Sequence, residues 1–91
     1  MRGRRKVVTE AEIESVLVEV NVCLDQPTQP VSGGVWHVGV YFLDKAYGAY
    51  RICKVMDDSG SRMGVSQYDT KRWTLSSAVG LRNRTAAKVS A

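Results

Sequence analysis

Tyr41, Tyr47, Tyr50, Arg51 and Arg62 are the side chains of this chain best suited to recognition chemistry. Tyrosine offers a large, stiff face with a polar tip, and arginine a planar fork of donors, so both types anchor binding surfaces. Both also stack on bases, and arginine pairs with phosphates. All five surround one turn at residues 43–50. A purely structural reading competes with this one. Tyr47 would close the turn, Gly48 would supply a positive φ, Tyr50 would pack on an upstream helix, and cross-strand aromatic pairs would hold the sheet. A second, basic set is Arg2, Arg4, Arg5, Lys6, Lys71 and Arg72, whose chemistry is charge against phosphate.

Signatures of catalysis are missing. The single histidine, His37, has the polar position of a strand, where a surface or satisfied core role is the commoner one. Ser32-Gly33-Gly34 leads into a strand, the wrong context for a phosphate loop. Asp57 and Asp58 are adjacent, so they diverge and make a poor acid–base pair. Ser59, Ser61, Ser76 and Ser77 have no activating context. Cys23 and Cys53 sit among apolar neighbours and read as free, buried thiols; a bridge between them depends on folded spacing. Too few ligands accompany them for a metal. The expectation is a non-enzymatic protein with no cofactor and no metal.

Thirteen Lys and Arg stand against nine Asp and Glu in 91 residues. Four of the cations lie in residues 1–6 and three more at Arg82, Arg84 and Lys88. Residues 9–81 therefore hold six basic and nine acidic side chains, a net of −3. Charge at the ends rather than on a folded face makes nucleic acid the second choice of partner. No apolar run is long enough to span a bilayer. Only Val7 and Val8 follow the basic start, too little for a secretion signal. The expected location is cytoplasmic, with no membrane partner.

The elements that position the five side chains can be read from local pattern. Residues 1–8 read as a disordered basic arm. Thr9 with Glu12 has capping-box spacing, and Ile13, Val16, Leu17, Val20 and Leu24 form a helical stripe. Val16, Val18, Val20, Val22 and Leu24 also alternate as a strand would; the cap and the acidic first turn favour helix. Pro27 and Pro30 end the element. Trp36, Val38, Val40 and Phe42 predict a strand with one apolar face, residues 49–56 a second strand, and residues 62–66 a short edge strand. Asp69 or Thr70 caps a last helix that turns Trp73, Leu75, Ala78, Val79 and Leu81 to the core. Residues 83–91 read as a frayed tail.

Asp44-Lys45-Ala46-Tyr47-Gly48-Ala49-Tyr50, preceded by Gly34-Val35-Trp36-His37-Val38-Gly39, resembles a group of small proteins of bacteriophages and other mobile elements. These carry an Ala-Tyr-Gly-Gly-Tyr-like hairpin between two helices. The likeness extends to Asn21, Pro27, the turn at Asp57-Asp58-Ser59-Gly60 and Thr70-Lys71-Arg72. Ala49 stands where a second glycine is usual. The resemblance implies a phage or mobile-gene-cassette setting and an α-β-β-β-α order, and it supplies no catalytic residues. The expected fold is α+β, a small three-stranded antiparallel sheet flanked by an N-terminal and a C-terminal helix in one domain, residues 9–82. The expected function is an interaction module that binds a protein partner, a host protein or its own copies as a homodimer, through the sheet and hairpin. The alternatives are a nucleic-acid accessory protein using the basic set and a small-ligand binder.

Overall fold

In the computed structural model, which describes residues 7–90, Thr9 and Glu12 close the capping box. Thr9 Oγ1 accepts from the Glu12 N–H at 3.2 Å, and Glu12 Oε1 accepts from the Thr9 N–H at 3.0 Å. Helix α1 (Glu10–Cys23) follows and buries Ile13, Val16, Leu17 and Val20. Val18 and Val22, which a strand would have aligned with Val16 and Val20, are exposed. The cap and the apolar stripe outweigh the modest helix penalty of valine. Asp25 ends the helix with φ +56°. Residues 1–6, the basic arm with Arg2, Arg4, Arg5 and Lys6, lie outside the described residues. Val8, expected in that arm, packs against the core.

The expected strand from Trp36 to Phe42 is instead divided between one strand that ends at Trp36 and another that begins at Tyr41. β1 (Val31–Ser32) and β2 (Val35–Trp36) form a small hairpin of their own across Gly33 and Gly34, both at positive φ. Gly39, at φ +94°, then breaks the extended path. The period-two pattern ran straight through a glycine whose backbone leaves the strand region.

β3 (Tyr41–Ala46), β4 (Ala49–Val55) and β5 (Arg62–Gly64) form the expected three-stranded antiparallel sheet, in the order β3-β4-β5. Tyr47 and Gly48, at φ +55° and +76°, make the two-residue connection whose twist suits a hairpin. That connection sets the register Ala46↔Ala49, Asp44↔Arg51 and Phe42↔Cys53. Opposed residues share a face, so Tyr41, Leu43, Tyr50 and Ile52 point one way and Phe42, Asp44, Arg51 and Cys53 the other.

The first face meets the helices. α2 (Lys71–Ser90) packs on α1 and over β4, and α1 lies over β3. The core joins Ile13, Val16, Leu17, Val20, Ile52, Ala78 and Leu81, with Leu43, Leu75 and Val79 at its margin. Thr70 caps α2 by accepting from the Trp73 N–H at 3.3 Å. Two expectations for this helix are corrected. Trp73 is 64% exposed, because the buried line runs through Thr74, Ala78, Leu81 and Thr85, one residue round the helix from it. The helix also continues to Ser90, and Thr85 is buried, so the tail expected to fray from residue 83 is helical. The architecture is α+β, and among the described residues no helix is long and apolar enough to cross a membrane.

Two helices cover two strands, which leaves both sheet edges to be closed otherwise. At β3, buried Asn21 acts as a surrogate strand. Its Nδ2 donates to the Tyr41 carbonyl at 3.0 Å and its Oδ1 accepts the Tyr41 N–H at 3.0 Å. Gln26 Nε2 lies 2.8 Å from Asn21 Oδ1 and 2.7 Å from the Gly39 carbonyl. Lys45, further along the edge, pairs with Glu10 of α1 at 3.2 Å. Among the described residues no such device guards β5.

Candidate functional site on the helix-free face of the sheet

The two-residue turn places Asp44 opposite Arg51 on the face that no helix covers. Arg51 Nε donates to Asp44 Oδ2 at 3.1 Å, and the Tyr68 hydroxyl donates to the same oxygen at 2.8 Å. The Arg51 guanidinium lies 4.4 Å from the centre of the Tyr68 ring. Arg62, from β5, puts Nη1 3.9 Å from Asp44 Oδ1 and stacks 5.2 Å from Phe42 and 5.5 Å from Trp36. The Trp36 and Phe42 rings are 6.5 Å apart, tilted by 54°. One carboxylate thus holds two guanidiniums against three rings.

Two glycines make room for this layer. A Cβ at position 60 would lie 2.8 Å from the Trp36 ring, and Gly60 also has φ +99°. A Cβ at position 64 would lie 2.7 Å from Arg51 Nη1, so Arg51 can rest across β5 only because Gly64 is bare.

Burial works to raise the Asp44 pKa, but the hydrogen bonds from Tyr68 and Arg51 outweigh it and the carboxyl titrates below its usual range. The bond to Asp44 raises both the Arg51 and the Tyr68 pKa. Desolvation raises that of Cys53, whose Sγ is 3.7 Å from Asp44 Oδ2. At neutral pH the cluster therefore holds one anion, two cations and a thiol too protonated to be a ready nucleophile. Cys53 is buried, Cys23 is half-buried, and both are free.

The structure divides the five expected residues. Arg51 and Arg62 share this face, and Tyr47 stands at its tip, beyond the small Ala46–Ala49 pair. Tyr41 and Tyr50 lie on the opposite face, because the alternation turns them to the helices. Tyr50 donates to Glu10 Oε2 at 3.2 Å, and Lys71 Nζ lies 5.9 Å from its ring. Tyr41 has its main chain held by Asn21, with Lys54 Nζ 5.6 Å from its ring. Lys71 is thus engaged beside Tyr50, while Arg72 is exposed on α2. Asp44, Phe42, Trp36 and Tyr68 were missed as site residues. The Asp44–Arg51 and Phe42–Cys53 pairs follow from reading Tyr47-Gly48 as a two-residue turn. No local signal brings Tyr68 or Trp36 there.

Ser32 Oγ and His37 Nε2 are 2.7 Å apart. Among the described residues no partner reaches the other ring nitrogen, and neither of the two hollows described next adjoins the pair. A nucleophile would need that orienting partner, so the contact reads as a clasp on the β1–β2 hairpin. One hollow, of about 420 Å³, lies between α1 and the β3 edge, with Glu14, Val18 and Leu43 among its walls. The other, of about 310 Å³, lies beside β5 and is lined by Val65, Trp73, Gly80 and Arg84. Among the described residues no cluster of potential ligands could hold a metal ion. No family model, curated protein or solved structure matches this chain.

Proposed function

We propose that this protein is a non-enzymatic interaction module that binds a protein partner through the helix-free face of its sheet and the tip of the β3–β4 hairpin. The observation that carries the reading is the preset layer of Arg51 and Arg62, fixed by Asp44 against Tyr68, Phe42 and Trp36. Side chains ordered in advance lose little entropy on binding. Tyr47 supports it. This residue is 106% exposed and sits at φ +55°, a costly conformation for a bulky side chain that gains no contact from it. The nucleic-acid reading is weaker for the folded body. Of thirteen cations, four lie in residues 1–6, which leaves nine against nine carboxylates elsewhere. The phage or mobile-cassette setting stays part of the proposal.

The test is capture from a lysate of the cells that carry the gene, followed by binding to the purified candidate. Tyr47→Ala with Arg51→Ala abolishes that binding while circular dichroism stays native. Unchanged binding by the folded double variant overturns the reading. So does affinity for random duplex DNA at low salt that vanishes as salt rises, with no protein captured.

A further inference from the structure

We infer that the open edge of β5, with the hollow beside α2, is a strand-addition site for an extended acidic segment of a partner protein in which carboxylate and apolar side chains alternate. The inference rests on the protein-binding reading and adds the partner's chemistry. Tyr50 exchanges both backbone bonds with Asp69 at 2.8 Å, and the Ile52 carbonyl accepts from Val65 N–H at 2.8 Å. These β4 residues thus point their main chain toward β5, and Lys54 does the same to Met63. Arg62 and Gly64 consequently turn their N–H and C=O groups to the open edge. A row of free backbone groups is what an added strand pairs with.

The two sides of that edge differ in chemistry. On the helix side, α1 and α2 stop short of β5. Met63 and Val65 are exposed there, and Trp73 stands over a hollow of about 310 Å³ floored by Ile52. Arg84 closes the hollow, no carboxylate lines it, and Arg84 makes no ion pair among the described residues. On the outer side stand Arg62 and, across Gly64, the Arg51 guanidinium. A strand laid along β5 would place alternate side chains on a cationic surface and on a mixed shelf, where Met63, Val65 and Trp73 stand beside Ser66, Ser76 and Ser77.

Charge also decides against a second copy. Twofold antiparallel pairing through the free groups of Arg62 and Gly64 sets Arg62 opposite Gly64 of the other copy, where that copy's Arg51 lies. Guanidinium would oppose guanidinium at both ends, and like charges directly opposed destabilise a strand pair. An acidic strand meets the same positions with carboxylates.

The test titrates the isotope-labelled full chain with an end-blocked Val-Glu-Val-Glu-Val-Glu-Val peptide and with its lysine counterpart. The glutamate peptide shifts the Arg62 and Gly64 amides and the Trp73 indole. Trp73→Ala, a change at an exposed side chain, weakens it about tenfold. Arg62→Glu weakens it similarly and creates affinity for the lysine peptide. Equal binding of both peptides to the unmodified chain overturns the inference, as does no binding of either. Shifts confined to Tyr47 and Trp36 overturn it while leaving the outer-face reading intact. Concentration-dependent broadening of the Gly64 amide, with dimers in sedimentation, assigns the edge to a second copy instead.

Discussion

Asn21→Ala tests whether one side chain closes an edge of the sheet. Asn21 is 1% exposed and its side chain makes three hydrogen bonds, two with the Tyr41 main chain and one from the Gln26 side chain. Each contributes about 1 kcal/mol net. Alanine leaves the Tyr41 N–H and C=O without partners, so the expected loss is about 3 kcal/mol, against a total of roughly 5–15 kcal/mol for a domain of this size. The thermal midpoint then falls by roughly 12–24 °C. Urea unfolding followed by circular dichroism measures the free energy, and amide exchange at Tyr41 reports the edge directly. Asn21→Ala and Gln26→Ala couple in a double-mutant cycle, because Gln26 bonds both Asn21 Oδ1 and the Gly39 carbonyl. A loss below about 1 kcal/mol, or an unchanged Tyr41 exchange rate, refutes the surrogate-strand argument.

Tyr47→Asn stabilises the fold by about 1 kcal/mol, since asparagine accepts positive φ and forms the favoured Asn-Gly turn; the same variant loses partner binding, and a lower melting point contradicts the strain argument. Asp57 Oδ1 accepts from the Ser59 hydroxyl and the Ser59 and Ser61 amides, with its pKa lowered to about 2, the Ser59 hydroxyl foremost. Its folded pKa is below the unfolded value of about 3.9, so its contribution is complete above that value and is lost as pH falls through about 2. Carboxyl titration by magnetic resonance checks this, and Ser59→Ala shifts the midpoint upward. Asp44 is lowered in the same sense, so the stability gap between the native chain and Asp44→Asn is constant above about pH 4 and narrows below it. A gap that widens on acidification contradicts the assignment.

Local chemistry made much of the fold legible. Thr9 with Glu12 and the stripe from Ile13 to Val20 act within a few residues and stand as read. Leu24, however, lies past the helix and is exposed, and the turn read at residues 43–50 shrinks to Tyr47-Gly48 because Leu43–Ala46 are strand. The failures came where a pattern held more than one meaning. Val38 and Val40 extended an alternation across Gly39, whose backbone cannot follow it. Trp73 borders two possible stripes on α2, and only tertiary packing selects the one through Thr74 and Ala78. At the candidate site, tyrosine and arginine content pointed to the hairpin that carries the Asp44–Arg51 pair but not to a face. Tyr41 and Arg51 look alike as candidates until the register puts them on opposite sides. Tyr68 arrives from a loop, and nothing near it in sequence foretells its bond to Asp44.

On the proposed reading, the outer face holds the sheet as well as meeting a partner. Val40, Cys53 and Val55 are buried, yet they lie outside the helix-side core cluster. Phe42 and Gly64 neighbour Cys53 across the strands, and Arg62 neighbours Val55. Rings and arginine stems can roof an apolar floor while their charged ends stay wet. A sheet with helices on one side is thereby closed on the other by the same residues that a partner would touch. Removing Arg62 or Trp36 mixes lost binding with an opened floor. Tyr47 and Trp73 touch no such floor, since one is fully exposed at the turn and the other stands out from α2. Substitution there separates recognition from folding, whereas Arg51→Lys asks a narrower question. It keeps the cation but gives up the Nε bond to Asp44 and the planar stack on Tyr68. Binding that survives this change depends on charge alone, and binding that fails with the fold intact depends on the held orientation of the guanidinium.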